Sequence, residues 1–297
     1  MKIVVTGSLG HISKPLAQTL LQEGHAVTVI SSNPEKQKDI EAMGVTAAIG
    51  SVEDVRFLTA TFTGADAVYC MEPPVNFFDH SIDIMEFYSN IARNYAQAIQ
   101  QSGVKRVVHL SSIGGHTDKG NGMLAFHFYV EQILQALPSD IAITTLRPVG
   151  FYYNMFAFIP TIKAQGAIVQ NYGGDEKEPW VSPLDIAAVI AEEITMPFEG
   201  RKIRYIASDE LSPNEVAGIL GTAIGQPDLK WQVITDEQML NTILSVGMNP
   251  QAAKGLVEMN AGRRDSLYED YYRNRPALGN VKLIDFVKDF ATAFSQQ

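Results

Sequence analysis

The sequence predicts an α/β fold in which a doubly wound parallel sheet is followed by a smaller, mostly helical C-terminal lobe. Two observations predict it. In residues 1–150, short continuous apolar segments alternate with longer segments of helical periodicity, a pattern typical of parallel strands that are buried on both faces. After Pro148 this alternation loosens and helical patterns dominate, which indicates a second, smaller lobe.

The first predicted element is a strand at residues 2–6, a β-branched segment that Gly7 ends. A helix at residues 12–23 follows, with Leu16 and Leu20 on one face and Gly24 as its C-terminal stop. Further strands are predicted from short apolar segments at residues 26–30, 45–49, 67–71, 106–111 and 141–146. Helices are predicted between them at residues 34–43, 80–102 and 124–137.

Two helix starts beyond residue 150 share the pattern Ser-Pro-x-acid, at Ser182 to Asp185 and at Ser212 to Glu215. Ser at the N-cap, Pro at the first helical position and an acid at the third predict a capping box at each start. Asp185 is thereby explained without a catalytic role. The other predicted elements are a strand at residues 202–207 and a mostly helical tail at residues 236–297.

Composition excludes several function classes. The chain has 33 Asp+Glu against 23 Lys+Arg, a formal net charge of −10, so we expect no nucleic-acid partner. No uncharged apolar segment approaches the roughly 18 residues of a membrane span, and the N-terminus lacks a signal-peptide pattern. The single cysteine, Cys70, and the scattered histidines predict neither a disulfide framework nor a metal site. We expect a cytoplasmic protein, and the sequence leaves monomer and homodimer open.

A glycine loop joins the first strand to the first helix. Gly7 allows a sharp turn, and Gly10 allows a diphosphate to approach the backbone at the positive end of the helix. Ser13 stands where a third glycine would allow close packing of helix and strand, so a slightly wider gap is expected. Glycines that serve turn geometry alone are the weaker interpretation. The predicted binding residues are Thr6, Gly7, Leu9, Gly10, His11 and Ile12.

The end of the second strand bears on cofactor choice. In NAD-binding proteins an Asp or Glu about 20 residues after the loop accepts a hydrogen bond from the ribose 2′-hydroxyl. No acidic residue stands at that place in this sequence. Ser31, Ser32, Asn33 and Lys36 can donate hydrogen bonds to a 2′-phosphate, which favours NADP, with NAD as the alternative. A solvated helix lysine is an equally good interpretation of Lys36.

These patterns divide the chain into two parts. Residues 1–150 are predicted to form a Rossmann-type dinucleotide-binding domain, to which residues 182–208 return. Residues 151–297 are predicted to form a smaller substrate-binding lobe.

Four segments follow the glycine loop in a characteristic order. They are Ser32-Asn33-Pro34-Glu35-Lys36, Leu110-Ser111-Ser112, Leu146-Arg147-Pro148 and Ser182-Pro183-Leu184-Asp185-Ile186-Ala187. With the loop, they resemble the atypical short-chain dehydrogenase/reductases, in particular the NmrA-like group and the type-2 quinone oxidoreductase-like proteins, over most of residues 1–225. The resemblance implies NAD(P) binding. It adds strand-end residues to the expected cofactor site, namely Met71, Glu72, Pro73, Ser111 and Pro148, although Glu72 could also point outward.

The expected catalytic helix lacks the Tyr-x-x-x-Lys pair that is usual in this superfamily, since Tyr129 is followed four residues later by Ile133. The resemblance places His127 at the Tyr position and Glu131 at the Lys position. One interpretation is that Glu131 raises the pKa of His127, which then donates a proton to the substrate. The favoured one is a structural pair, because hydride transfer to a quinone can draw its proton from water. The resemblance also implies that Ser112 helps to hold the substrate oxygen, and a strand-end serine that caps backbone groups is an equally good interpretation.

An aromatic cluster follows the sixth strand, and in the resembled family this segment lines the substrate site. Tyr152, Tyr153 and Trp180 are therefore candidate substrate residues, with core packing as the alternative. The expected function is NADPH-dependent reduction of a small carbonyl or quinone. The alternatives are a non-catalytic NAD(P)-sensing regulatory protein and, more weakly, a nucleotide-sugar epimerase or dehydratase.

Overall fold

The computed structural model describes residues 1–197 and 199–296. Its strands are β1 (Lys2–Val5), β2 (Ala26–Ser31), β3 (Thr46–Ile49), β4 (Ala67–Cys70), β5 (Arg106–Leu110), β6 (Ala142–Pro148), β7 (Gly150–Phe151), β8 (Ala167–Gln170), β9 (Glu178–Val181), β10 (Arg201–Ile206), β11 (Asp209–Leu211) and β12 (Lys230–Val233). Its α-helices are α1 (Ser13–Gln22), α2 (Gln37–Ala42), α3 (Val55–Phe62), α4 (Ile84–Ser102), α5 (Ala125–Gln135), α6 (Ile159–Gln165), α7 (Pro183–Thr195), α8 (Pro213–Ala223), α9 (Asp236–Ser245), α10 (Pro250–Arg264), α11 (Glu269–Arg273) and α12 (Leu283–Gln296).

The main sheet runs in the order β10-β6-β5-β4-β1-β2-β3, and all of its pairings are parallel. The predicted doubly wound parallel sheet is confirmed. The chain order reverses between β1 and β4. Val4 of β1 pairs with Thr28 of β2 on one side and with Val68 of β4 on the other. In sheets of this kind, ligands bind at the carboxyl ends of the strands beside such a reversal.

Helices cover both faces of this sheet. On one face, Leu16 and Leu20 of α1 are fully buried beside Ile190 of α7. On the other, Ile91 and Tyr95 of α4 are fully buried with residues of α3 and α5. The apolar periodicity seen in the sequence is therefore the buried stripe of each helix.

The helix predictions are wrong at two helices whose first residue is set by an Asp N-cap. Helix α3 is absent from the prediction, although Asp54 caps it by accepting hydrogen bonds from the backbone N–H groups of Arg56 and Phe57. Helix α4 begins at Ile84, later than expected, because Asp83 caps it and accepts a hydrogen bond from the Glu86 N–H. In both cases the signal is an Asp at the N-cap.

The capping prediction holds for one of its two helices. At α8, Ser212 and Glu215 form the reciprocal capping box. At α7, Ser182 caps the helix, but the expectation for Asp185 is wrong. Its carboxylate instead accepts hydrogen bonds from Ser208 Oγ and from the N–H groups of residues 280–281. A tertiary contact with the C-terminal segment thus replaces the local one.

The smaller lobe is mostly helical, as predicted, but it also contains two small sheets that the sequence analysis missed, β11-β9-β7 and β12-β8. Its separate core includes Tyr152, Trp231 and Phe290. Strand β10 pairs with β6, and α7 packs on α1, so this part of the chain lies on the main sheet. The division into two domains at residue 150 stays a prediction. No helix in the described residues is both long and apolar enough to span a bilayer.

Candidate cofactor and substrate site

A cleft of about 800 Å³ opens at the carboxyl ends of β1, β2 and β4, beside the reversal in strand order. Most of the predicted cofactor residues line it, namely Gly7, Leu9, Gly10, His11, Ile12, Ser31, Ser32, Lys36, Met71, Glu72 and Pro73. The structure adds lining residues that were not among the predicted cofactor residues, namely Ser8, Ser13, Ile30, Gly50, Ser51, Val52, Glu53, Pro74, Phe87, Tyr95, Phe151, Asn154 and Pro183.

Four predicted cofactor residues lie outside this lining. The Thr6 hydroxyl accepts a hydrogen bond from the Met71 N–H and so ties β1 to the end of β4. Asn33 caps the short 3₁₀ turn that follows it. Ser111 donates to a buried carboxylate, and Pro148 is buried at the end of β6. These residues support the cleft, and direct contact with a cofactor stays a prediction for them.

The glycine loop has the backbone that a tight turn out of a strand requires. Gly7 has φ +88° and Ser8 has φ +53°, both in the left-handed region that favours glycine. A Cβ on Gly7 would overlap Ser13 Oγ and Met71 Sδ. Ser13 is buried, so its hydroxyl occupies the space beside Gly7 that a side chain at residue 7 would need. This position therefore requires glycine both for its conformation and for its packing.

The start of α1 fits an anionic ligand. No side chain caps this helix at Ile12, and Pro15 in its first turn has no N–H group. The positive end of the helix dipole therefore lies at the cleft without a side-chain cap, next to the lining residues Gly10, His11, Ile12 and Ser13. Together with the loop and the cleft volume, this geometry fits the diphosphate of a dinucleotide.

The end of β2 presents hydroxyl and ammonium groups to the same cleft. Ser8 Oγ donates a hydrogen bond to Ser31 Oγ at 2.9 Å, which fixes the serine at the rim. Lys36 Nζ lies 3.4 Å from Asp39 Oδ2, and its side chain is 47% exposed, so it is able to turn toward a ligand. Donors of this kind suit the 2′-phosphate of NADP.

Both oxygens of the Glu131 carboxylate accept hydrogen bonds from residues other than His127. Its Oε2 accepts a hydrogen bond from Arg147 Nη2 at 2.7 Å, and its Oε1 accepts from Arg147 Nε at 2.9 Å and from Ser111 Oγ at 2.5 Å. Burial alone would lower the pKa of Arg147, but its bonds to Glu131 raise that pKa above the ordinary value. The expected pairing of Glu131 with His127 is wrong, and Glu131 is a structural partner of β6.

His127 consequently lacks the partner that would make it an acid. Burial lowers the pKa of His127 well below its ordinary value, and His109 lowers it further. Its Nδ1 is buried and has no hydrogen-bond partner within residues 1–197 and 199–296. The ring packs against Phe126. The expectation that Glu131 raises the pKa of His127 is therefore wrong, and a neutral imidazole is present at neutral pH.

A buried acid–base pair lies beside the cleft instead. Glu72 is 8% exposed and lines the cleft directly after β4, and its Oε1 lies 3.0 Å from Nε2 of His109 on β5. Burial on its own lowers the pKa of His109, but the attraction of Glu72 and the hydrogen bond to it more than offset this, so the pKa is raised. Glu72 thus points into the protein, and the outward orientation considered from the sequence is wrong. Ser112 is half-buried in the turn after β5, and its role stays a prediction.

Of the three candidate substrate residues, two are buried in the core of the smaller lobe and one lines the cleft. Tyr152 is fully buried, stacks on Phe286 and donates a hydrogen bond to Asp209. Trp180 is 2% exposed and donates to the Leu211 carbonyl. Both belong to the core of the smaller lobe, so the expected substrate contact is wrong for them. Tyr153 is 41% exposed and lines the cleft, with its ring centroid 3.9 Å from that of His11.

The chain is similar to known reductases over most of its length. It is 26% identical over 260 residues to an NAD(P)H azoreductase of Xenophilus azovorans, covering 87% of this chain and 86% of the relative. The fold matches an NADPH-dependent quinone oxidoreductase of Escherichia coli, solved with NADPH, at a TM-score of 0.80 and 21% identity, covering 97% of this chain and 99% of that one. It also matches a triphenylmethane reductase of Citrobacter sp. at a TM-score of 0.77 and 20% identity, covering 98% and 100%. The model of the NmrA-like family matches residues 1–274, and this protein therefore belongs to the NmrA-like family.

Proposed function

We propose that this protein is an NAD(P)H-dependent oxidoreductase that reduces a small, flat, conjugated acceptor such as a quinone or carbonyl compound, with NADPH preferred. One observation carries the proposal. A single cleft is lined by the glycine loop and the uncapped start of α1 and also by the aromatic residues Phe87, Phe151 and Tyr153. The relatives are named as azoreductase, quinone oxidoreductase and triphenylmethane reductase, and these names fit a conjugated acceptor.

The residues of the cleft have separable tasks in this reaction. The first turn of α1 binds the diphosphate, and Ser32 and Lys36 bind the 2′-phosphate. Bound NADPH supplies a hydride, which is the chemistry that the protein itself lacks. The exposed ring of Tyr153 offers a face on which a flat acceptor stacks, and the aromatic residues of the cleft exclude water from the reacting atoms.

The two alternatives are less well supported. An epimerase or dehydratase of this superfamily uses Tyr and Lys on the helix α5, whereas this chain has His127 and an Arg-bound Glu131 there. A cofactor sensor without turnover would need the cleft to bind NADPH but no acceptor. The aromatic residues in the same cleft favour the enzyme, because a sensor has no need of an acceptor surface.

The proposed function is tested by consumption of NADPH with a panel of quinones, azo dyes, triphenylmethane dyes and aldehydes. We expect turnover with at least one conjugated acceptor and a smaller kcat/KM with NADH in its place. Binding of NADPH without consumption in any reaction would instead indicate the sensor. Failure to bind any pyridine nucleotide would contradict both interpretations.

Cofactor preference is expected to depend on Lys36. Replacement Lys36→Ala removes an ammonium from the rim of the cleft, and the Kd for NADPH should rise about fivefold, the loss of roughly 1 kcal/mol for a half-exposed charge. The Kd for NADH should not change, because NADH has no 2′-phosphate. Lys38→Ala is the matched control, since Lys38 is also exposed on this part of the chain but does not line the cleft. Equal Kd values for NADPH in the two variants would contradict this role.

A further inference from the structure

An acid–base pair, Glu72 and His109, lies at the wall of the cleft. Glu72 and His109 come from the neighbouring strands β4 and β5, and their side chains meet at 3.0 Å on the face of the sheet that α4 and α5 cover. The side chain of His109 is 0% exposed and that of Glu72 is 3% exposed. A buried charged pair of this kind is costly to maintain, so its position at the wall of the cleft is informative.

The hydrogen bonds of the pair leave one carboxylate oxygen of Glu72 without a donor from the described residues. His109 Nδ1 is buried without a hydrogen-bond partner in the described part of the chain, so Glu72 is the residue to which the ring bonds. Glu72 Oε1 accepts this bond, and no described residue donates a hydrogen bond to Oε2. Because Glu72 lines the cleft, its carboxyl group can exchange a proton with a molecule bound there.

We propose that His109 stores the proton of the reduction and that Glu72 transfers it from His109 to the reduced acceptor. This inference rests on the proposed function. Hydride transfer from NADPH gives the acceptor two electrons and one hydrogen nucleus, and it leaves a reduced acceptor that carries a negative charge. The proton on His109 Nε2 then moves to Glu72 and from the Glu72 carboxyl group to this anion, and solvent in the cleft returns one proton to His109 through Glu72. The sum is acceptor, NADPH and one proton giving reduced acceptor and NADP⁺.

The groups that face the pair do not compete for this proton near neutral pH. They are Tyr69 and Cys70 on β4, Tyr88 and Tyr95 on α4, and His127 and Glu131 on α5. Burial raises the pKa of each tyrosine and of Cys70, so these groups stay neutral. Burial lowers the pKa of His127, which stays neutral too, and Glu131 is bound to Arg147.

The sign of the expected pH dependence follows from the geometry. The attraction of Glu72 stabilises the protonated ring of His109 and raises its pKa against the effect of burial. The proton is therefore held below that pKa and lost above it. We expect kcat of the wild-type enzyme to fall as the pH rises through the raised pKa of His109.

The test compares Glu72→Gln with the matched control Glu193→Gln. Glu193 is also a buried carboxylate with cationic partners, Lys202 and Arg204, but it lies between α7 and β10, away from the cleft lining. Glu72→Gln should lower kcat about 100-fold, within the usual range for a lost general acid. It should also abolish the fall of kcat at high pH. Glu193→Gln should keep the wild-type kcat and pH profile.

Two further measurements do not depend on the loss of activity alone. In NMR titrations of the cofactor-free protein, the pKa of the His109 ring should fall in Glu72→Gln, because burial remains when the carboxylate is gone. His109→Gln keeps a donor toward Glu72 but stores no proton, so it should bind NADPH normally and lose the pH dependence of kcat.

The outcomes separate this inference from the proposed function. Turnover by Glu72→Gln with the wild-type kcat and pH profile would show that the proton comes from solvent, and it would overturn the inference while the proposed function stands. An unchanged pKa of His109 in Glu72→Gln would overturn it as well. Absence of turnover by the wild-type protein with every acceptor would overturn the proposed function and this inference together.

Discussion

Replacement Arg147→Met is expected to lower the free energy of unfolding by about 3–5 kcal/mol, the usual effect of removing one partner of a buried ion pair. The Arg147 side chain is 6% exposed and the Glu131 side chain 4% exposed, so the remaining carboxylate would stay in a medium of low dielectric constant. Arg147 also donates to Asp270 and to Tyr205, and the variant removes both bonds. Urea unfolding measures the change.

The matched control is Arg93→Met, which breaks the ion pair with Glu86 on α4. Both of these side chains are more than half exposed, so the change in the free energy of unfolding should stay within about 1 kcal/mol. The double variant Arg147→Met with Glu131→Leu should recover much of the loss, because no unpaired charge remains buried. A loss in Arg147→Met as small as that in Arg93→Met would show that the buried pair contributes little.

Replacement Gly7→Ala is expected to raise the Kd for NADPH about 100-fold, which corresponds to roughly 3 kcal/mol from the left-handed backbone and the steric overlap together. The alanine Cβ would overlap Ser13 Oγ and Met71 Sδ. Relief of that overlap moves the loop or the start of α1, and either movement displaces the backbone N–H groups that face the diphosphate. Calorimetry with NADPH measures the change.

Gly24→Ala separates backbone strain from crowding. Gly24 has φ +83°, close to that of Gly7, but a Cβ there would meet nothing within 4 Å. This variant should lose about 1–2 kcal/mol of stability from backbone strain and bind NADPH as the wild-type protein does. Adding Ser13→Ala to Gly7→Ala removes the hydroxyl from the overlap and should restore part of the affinity. Equal Kd values for Gly7→Ala and the wild-type protein would contradict the binding role of the loop.

The choice between neighbouring tyrosines shows what local sequence cannot provide. Tyr152 and Tyr153 begin a 3₁₀ segment, in which successive side chains point about 120° apart. One ring therefore enters the core of the smaller lobe while the next lines the cleft. From the sequence alone both are candidates for substrate contact, because no periodicity in this aromatic segment indicates which side the core lies on.

The partner of Glu131 illustrates the same limit for charges. The spacing of His127 and Glu131 places them on one face of α5, and that much follows from the helix itself. Arg147 lies 16 residues away on β6, and the parallel sheet brings it under α5. A buried carboxylate pairs with the cation that shares its buried layer, so the pairing depends on the packing of helix on sheet and not on the spacing along the helix.

The sequence by itself determined the doubly wound sheet and the position of the glycine loop. Both depend on properties of short segments, the apolar periodicity of each strand and helix and the left-handed backbone that glycine allows. Only the tertiary structure decided which side chains meet at the cleft. Glu72 and His109 are 37 residues apart in the chain, and they come together because β4 and β5 are adjacent in a parallel sheet. Strand order and the burial that follows from it thus set the chemistry of the site.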